Sequence, residues 1–304
     1  MDNVFWFRIA ELNIKLTFAE GGLNSMALLP SFNPFRIAPP APTAACFFHL
    51  RIDDRLKPMP AAQRERIRAF DTGNGKTIVD KLRPDGGYQF IIKNLQGASC
   101  CLLICNSNFT ECQCALNGSY EMRNFGLNNA LMHVFSFAGS QHNVLLMHAS
   151  CVRKDGIAYP FVAASGTGKS TQVSFWLRYI PGCDLLNDDN PIVRIMPNGV
   201  FIYGSPWSGK TPCYRNTKAT LGAITRVARA QQNQVQRLTG IEAFASVLPS
   251  CATMKWEPAV HNGIINSISK LIEVIPVYTL HCLPNKESAV LCCNTITQQK
   301  QTTR

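Results

Sequence analysis

Apolar and polar residues alternate from the start of the chain. Phe5, Phe7 and Ile9, then Leu12, Ile14, Leu16 and Phe18, recur at every second position, the period of half-buried strands. Pro39, Pro40 and Pro42 break the pattern and predict an extended connector. Alternation returns over residues 46–52. Residues 61–69 are Arg-rich and read as a short helix or an exposed loop with a solvated face. Thr77-Ile78-Val79, the turn Pro84-Asp85-Gly86-Gly87, and strands over 88–93 and 99–105 come next. Residues 1–122 therefore predict a mostly β domain. Its one acidic doublet, Asp53-Asp54, fits a loop or cap.

The period then changes. Over 124–139 the apolar residues Phe125, Leu127, Leu131, Val134, Phe135 and Phe137 take helical spacing, which predicts a buried helix leading into a second domain over 123–297. A buried strand is expected over 143–152, with His148 inside it, and another over 156–162. A helix over 170–179 carries a predicted stripe of Val173, Leu177 and Ile180, and Pro181-Gly182 stops it. Residues 183–189 form a short apolar strand ending in carboxylates. A hairpin is expected around Pro197-Asn198-Gly199, then a strand over 221–229 and helices over 240–248 and 259–275. In the last helix Val260, Ile264, Ile265, Ile268, Leu271 and Ile272 make one face. Strands over 277–283 and 288–293 are expected to close the chain before a polar, disordered tail, 298–304. The fold class is α/β, of the α+β kind with mixed sheets.

Composition narrows this picture. With 46% hydrophobic and 16% charged residues, the 304-residue chain can build sizeable cores. Its net charge of +11 favours anionic partners, yet no Lys/Arg run is dense enough for a nucleic-acid patch, so nucleic acid is not an expected partner. The 13 cysteines are odd in number and show no Cys-x-x-Cys pair, so reduced thiols in a cytoplasmic protein are expected rather than disulfides or zinc. No apolar run reaches the length of a membrane span, and no signal peptide is visible, so no membrane partner is expected. Homo-oligomerisation is left open.

The chemistry concentrates at Ala163-Ala164-Ser165-Gly166-Thr167-Gly168-Lys169-Ser170. Gly168, Lys169 and Ser170 match the end of Gly-x-x-x-x-Gly-Lys-Ser/Thr, the phosphate-binding P-loop, while Ala163 stands at the first Gly. A strand, a Gly-rich turn and a helix N-terminus aim successive N–H groups at one point, which suits a nucleotide's polyphosphate. Ser165, Gly166, Thr167, Gly168, Lys169, Ser170 and Thr171 are the expected nucleotide-binding residues, with Lys169 on the β/γ-phosphates. The Ser170 hydroxyl and Asp188 are expected to hold Mg²⁺, and the Asp188-Asp189 pair to supply a metal partner and a base. Gly204-Ser205-Pro206-Trp207-Ser208-Gly209-Lys210 is a second Gly/Ser-rich loop. Lys210 and Arg215, with Lys218, could meet an anionic substrate there.

His148-Ala149-Ser150, Ser165 through Thr171 and Asn187-Asp188-Asp189, in that order and spacing, resemble the kinase domain of HPr kinase/phosphorylase, within the phosphoenolpyruvate carboxykinase-type P-loop fold. The likeness covers about residues 143–293. It implies an ATP- and Mg²⁺-dependent kinase acting on a protein serine or a small-molecule hydroxyl, with His148 beside the nucleotide. Residues 1–122 do not resemble the regulatory kinase's N-terminal region, so the phospho-acceptor is open. A carboxykinase-like enzyme and a non-catalytic, nucleotide-gated binding module are the alternatives.

Overall fold

The computed structural model describes residues 2–71 and 75–298, and these divide into two units. The first comprises residues 2–139 with 254–258; the second takes 140–253 and 259–298. Both are built on mixed sheets with few helices. Residues 299–304, most of the tail expected to be disordered, lie outside the described residues.

In the first unit β1 (Asn3–Ile9), β2 (Leu12–Phe18), β3 (Arg36–Ile37), β4 (Phe48–Ile52), β5 (Arg64–Asp71), β6 (Gly75–Leu82), β7 (Tyr88–Asn94), β8 (Ser99–Cys105) and β9 (Glu111–Leu116) form one sheet. Its order is β3-β1-β2-β4-β9-β8-β7-β6-β5, with β4 parallel to both β2 and β9 and every other neighbour antiparallel. The alternation read at the N-terminus is real: Phe7, Ile9, Ile14 and Leu16 are fully buried. Of residues 61–69, expected as a short helix or an exposed loop, 61–63 form a single helical turn, but 64–69 belong instead to the edge strand β5. An edge strand exposed on both sides shows no apolar alternation, which is why its Arg-rich sequence hid it.

Helix α1 (Tyr120–Gly139) covers this sheet and belongs to the first unit, not to a domain beginning at 123. Leu127, Leu131, Val134 and Phe135 are fully buried. Gly126 lets it lie close: a Cβ there would sit 2.8 Å from the Cys100 carbonyl oxygen. The Asp53-Asp54 doublet fastens loops, as expected. Asp54 accepts from Asn24, from the Leu116 amide and from Arg123.

The second unit contains β10 (Val144–Leu146), β11 (Ala149–Lys154), β12 (Ile157–Val162), α2 (Lys169–Tyr179), β13 (Cys183–Asp189), β14 (Ile192–Met196), β15 (Gly199–Tyr203), β16 (Lys218–Leu221), β17 (Ile224–Arg229), β18 (Gln234–Leu238), α3 (Gly240–Val247), α4 (Pro258–Val274), β19 (Val277–Cys282) and α5 (Lys286–Thr297). The sheet runs β10-β14-β15-β16-β12-β17-β19-β18. β16 pairs with the first half of β12 and β17 with the second, while β11 joins β12 to β13 along its other side. Successive strand residues point to opposite faces, and each face has its own core. Ala158 and Val162 pack with Ala243 and Val247 of α3 and Ile264, Ile268 and Leu271 of α4. Tyr159 and Phe161 pack with Val173 and Trp176 of α2 and Ala289, Cys292 and Ile296 of α5. Helices therefore cover both sides of this sheet.

Three expectations change here. The strand over 143–152 is two strands, with His148 in the break between them. The stretch 221–229 is divided at Gly222-Ala223, where β16 ends and β17 begins. Residues 288–293 are helical: Asn285 Oδ1 accepts from the Ser288 amide at 3.0 Å and caps α5, so its apolar run is the buried stripe of a helix. All 13 cysteines are free and 11 are buried. Among the described residues no helix is long and apolar enough to cross a membrane.

Candidate functional site

The loop from Ala163 to Gly168 leaves the end of β12 and enters α2. Gly166 and Gly168 have φ of +75° and +126°, a region closed to most side chains, and the turn needs both. It ends with α2 starting at Lys169, uncapped by any side chain. The amides of Gly166, Gly168, Lys169 and Ser170 have no acceptor among the described residues. They are free donors at a helix start, where the helix dipole also favours an anion. Of the expected stripe on α2, Val173 is buried but Leu177 is 39% exposed; the inward face is Lys169, Gln172, Val173 and Trp176. The loop sets this rotation, because Lys169 must turn inward beneath it.

Lys169 is 8% exposed, and its Nζ donates to the Ala163 carbonyl at 3.0 Å. Burial lowers its pKa, opposed by the charges of Asp189 and Asp188. The ammonium thus lies across the loop it is meant to serve, neutralised by no direct ion pair.

Sheet register brings the carboxylates to the same end. Ala149 of β11 lies opposite Val162 on one side and Asp189 on the other; Ser150 lies opposite Phe161 and Asp188. The acidic strand is therefore next but one to the loop strand, with β11 between them, rather than adjacent. Asp188 is 4% exposed; its Oδ1 accepts from Ser170 Oγ at 2.9 Å and its Oδ2 from the Thr211 amide at 3.3 Å. Asp189 Oδ1 lies 3.2 Å from His148 Nε2, and its Oδ2 accepts from Asn190 Nδ2 at 2.6 Å. The Asp189 backbone has φ of +126°, an uncommon conformation for a residue with a side chain.

The second Gly/Ser loop is fastened to this strand. Fully buried Asn187 donates through Nδ2 to the Trp207 carbonyl at 3.1 Å and reaches Ser205 Oγ, while its Oδ1 accepts from the Asn190 amide. Ser208 Oγ lies 2.9 Å from the Asp188 carbonyl oxygen, to which the Gly209 amide also donates. Lys210 comes next, at an exposed position beside the acidic pair.

Two of the expected cations are elsewhere. Arg215 donates to Asp184 at 2.8 Å and to the Leu185 carbonyl, and Arg153 forks onto the same carboxylate. Asp184 precedes Asp189 by five strand residues, about 16 Å at the usual strand rise. Arg215 is thus not a substrate residue at the loop. Lys218 lies over the rings of Phe201 and Tyr203.

Sequence reasoning missed Arg229. From the end of β17 it donates to the Gly166 carbonyl at 2.6 Å and to the Thr167 carbonyl at 3.3 Å, gripping the loop's acceptors and leaving its donors outward. Only the pairing of β17 with β12 reveals it. Asn187 was passed over because its role depends on the fold of residues 204–213.

A comparison with protein-family models finds no match for the chain, and a comparison with curated proteins finds no similar sequence.

Proposed function

We propose that the second unit binds a Mg²⁺–nucleoside triphosphate and transfers its terminal phosphoryl group to a hydroxyl, as a P-loop kinase of the HPr kinase/phosphorylase kind. The observation that carries this reading is the Ser170–Asp188 contact at 2.9 Å, beside a loop in which the amides of Gly166, Gly168, Lys169 and Ser170 lack acceptors among the described residues. A hydroxyl and a nearly buried carboxylate held together are hard oxygen donors of the type Mg²⁺ prefers. Among the described residues no group of three or more His, Cys, Asp or Glu could hold a metal alone. Magnesium shared with phosphates needs only one or two protein ligands. Bound to Ser170 and Asp188, it would offset charge on the phosphate oxygens.

The chain's own residues then divide the work. The free amides of Gly166, Gly168, Lys169 and Ser170 bind the phosphates, with Lys169 released from Ala163 to add a cation. Asp189 would take the acceptor hydroxyl's proton as the new P–O bond forms and the bond to the leaving nucleoside diphosphate breaks. His148 Nε2 holds Asp189 in orientation. Lys210 is the cation available to an anionic acceptor. A carboxykinase-like reaction loses support, because Arg215 and Lys218, the extra cations it calls for, are engaged elsewhere.

Incubation of the full chain with terminally labelled Mg²⁺–ATP and a cell lysate tests the proposal. Label should appear on a protein or metabolite with wild type and not with Lys169→Ala. Nucleotide binding without any labelled acceptor would instead favour a nucleotide-gated binding module.

A further inference from the structure

A cavity of about 430 Å³ opens beside the loop, on the flank away from the carboxylates. Its near wall is the loop itself and the first turn of α2, at Thr171. Its far wall is made where two neighbouring parallel strands end: Val227 and Ala230 at the end of β17, and Cys282 and Pro284 at the end of β19. In open sheets this is where ligands sit, at the carboxyl ends of parallel strands. The far wall is apolar. A cavity of this size falls in the range of small-molecule sites.

Two polar features sit in the wall. Arg229, already bound to the loop carbonyls, puts a planar guanidinium at the rim between the free amides and the cavity. Such a plane stacks on aromatic rings. Gln172 is 2% exposed and lines the cavity. Its Nε2 donates to Ser288 Oγ at 2.8 Å and lies 3.3 Å from Cys282 Sγ, while its Oε1 has no partner. Turning the amide over exchanges the two ends, so one of them lacks a partner either way.

We infer that this cavity seats the nucleobase of the bound nucleotide, between the guanidinium of Arg229 and the apolar ends of β17 and β19. The inference rests on the phosphate-binding reading of the loop. It assigns the ligand as a nucleotide with its base held by the protein, rather than a polyphosphate held by the loop alone. A base seated here has its phosphates leading past Thr171 to the free amides.

Titration calorimetry on the full chain with Mg²⁺–ATP and with Mg²⁺–tripolyphosphate separates the two readings. ATP should bind wild type at least about 30-fold more tightly than tripolyphosphate. Ala230→Trp, which fills the cavity from a partly exposed position, should bring ATP to within about threefold of tripolyphosphate and leave tripolyphosphate binding unchanged. If tripolyphosphate binds and ATP binds wild type no tighter, the base site is overturned and the loop reading stands; that comparison needs no variant. The same conclusion holds if a folded Ala230→Trp binds ATP as wild type does. If neither ligand binds at millimolar concentration, the loop reading fails and the base site with it.

Discussion

The two units treat buried charge in opposite ways. In the first, Asp80 is 1% exposed and fully matched: Arg64 and Arg66 both donate to it, and Gln89 Nε2 adds a bond at 3.1 Å. Burial pushes its pKa up, but the two guanidinium groups outweigh that and hold it below the usual value. Asp54 is matched as completely, by Arg123, Asn24 and a backbone amide. In the second unit Asp188 has, among the described residues, only a hydroxyl and an amide as donors. Asp189 has His148 and an Asn side chain, on a strained backbone. Lys169 turns its ammonium to a carbonyl, and four amides from Gly166 to Ser170 have no acceptor among the described residues. Charge that is matched within the fold holds the fold. Charge left with weak partners, beside strain, is what a fold keeps for a ligand.

The largest expected effect tests the unmatched side. Asp189→Asn keeps the shape and removes the base, so phosphoryl transfer should fall by roughly 10²–10⁴-fold while Mg²⁺–ATP binds nearly as before. Lys169→Ala should instead weaken binding itself, read by calorimetry. If both variants transfer phosphate at wild-type rates, the carboxylate is only part of a turn.

The matched side predicts a loss of another kind. Asp80→Asn leaves two arginines without their carboxylate. Because Arg66 is half exposed, the cost should be about 2–3 kcal/mol, below that of breaking a wholly buried pair, read by denaturant unfolding. Transfer by the folded variant should not change. A change in transfer at constant folded fraction would mean that the contrast between the units is not one between stability and chemistry.

How much of the molecule was legible in the sequence divides along the same line. Lys169, Ser170 and Asp188 come from local patterns, a Gly-rich turn before a helix and carboxylates ending a strand. The structure brings these three together. The alternation of Phe7, Ile9, Ile14 and Leu16 reads directly because one side of that hairpin is buried. What was not legible depends on pairing between distant residues. Arg229 reaches the loop only because β17 lies beside β12, and Arg215 is withdrawn only because Asp184 lies opposite Arg153. The helix at 286–297 was misread because a short apolar run such as Ala289-Val290-Leu291-Cys292-Cys293 suits either element. Its cap, Asn285, was the signal that could have decided it.

Asp189 offers a sharper comparison, since function and stability should there run in opposite directions. Its φ of +126° costs roughly 1–3 kcal/mol in a residue with a side chain. Glycine adopts it freely but adds roughly 0.5–1 kcal/mol of chain entropy to folding. Asp189→Gly should therefore raise stability by about 1 kcal/mol in urea unfolding while abolishing transfer. A destabilised Asp189→Gly would place the side chain among the residues that hold the fold, with Asp80.

The smallest effect concerns an exception within the first unit. His133 of α1 lies among the rings of Phe70, Phe90 and Phe137, with Thr77 Oγ1 at 3.4 Å from Nε2 as its polar neighbour and, among the described residues, no carboxylate paired to it. Burial lowers its pKa from 6.5 to about 4. The unfolded chain therefore takes up this proton first as pH falls. Stability attributable to His133 is complete above pH 6.5 and is lost progressively as pH falls from there toward 4, where the folded form titrates as well. The ring is only partly enclosed, so the loss at pH 5 should be about 1 kcal/mol rather than the larger figure a fully buried imidazole would give. Replacement by Phe, which fills the same aromatic stack without a titrating group, should flatten the pH dependence of unfolding between pH 7 and 5 by that amount. An identical slope in wild type and His133→Phe would show that acid sensitivity in this window comes from other groups, and that even this half-matched residue belongs with the balanced charges of its unit.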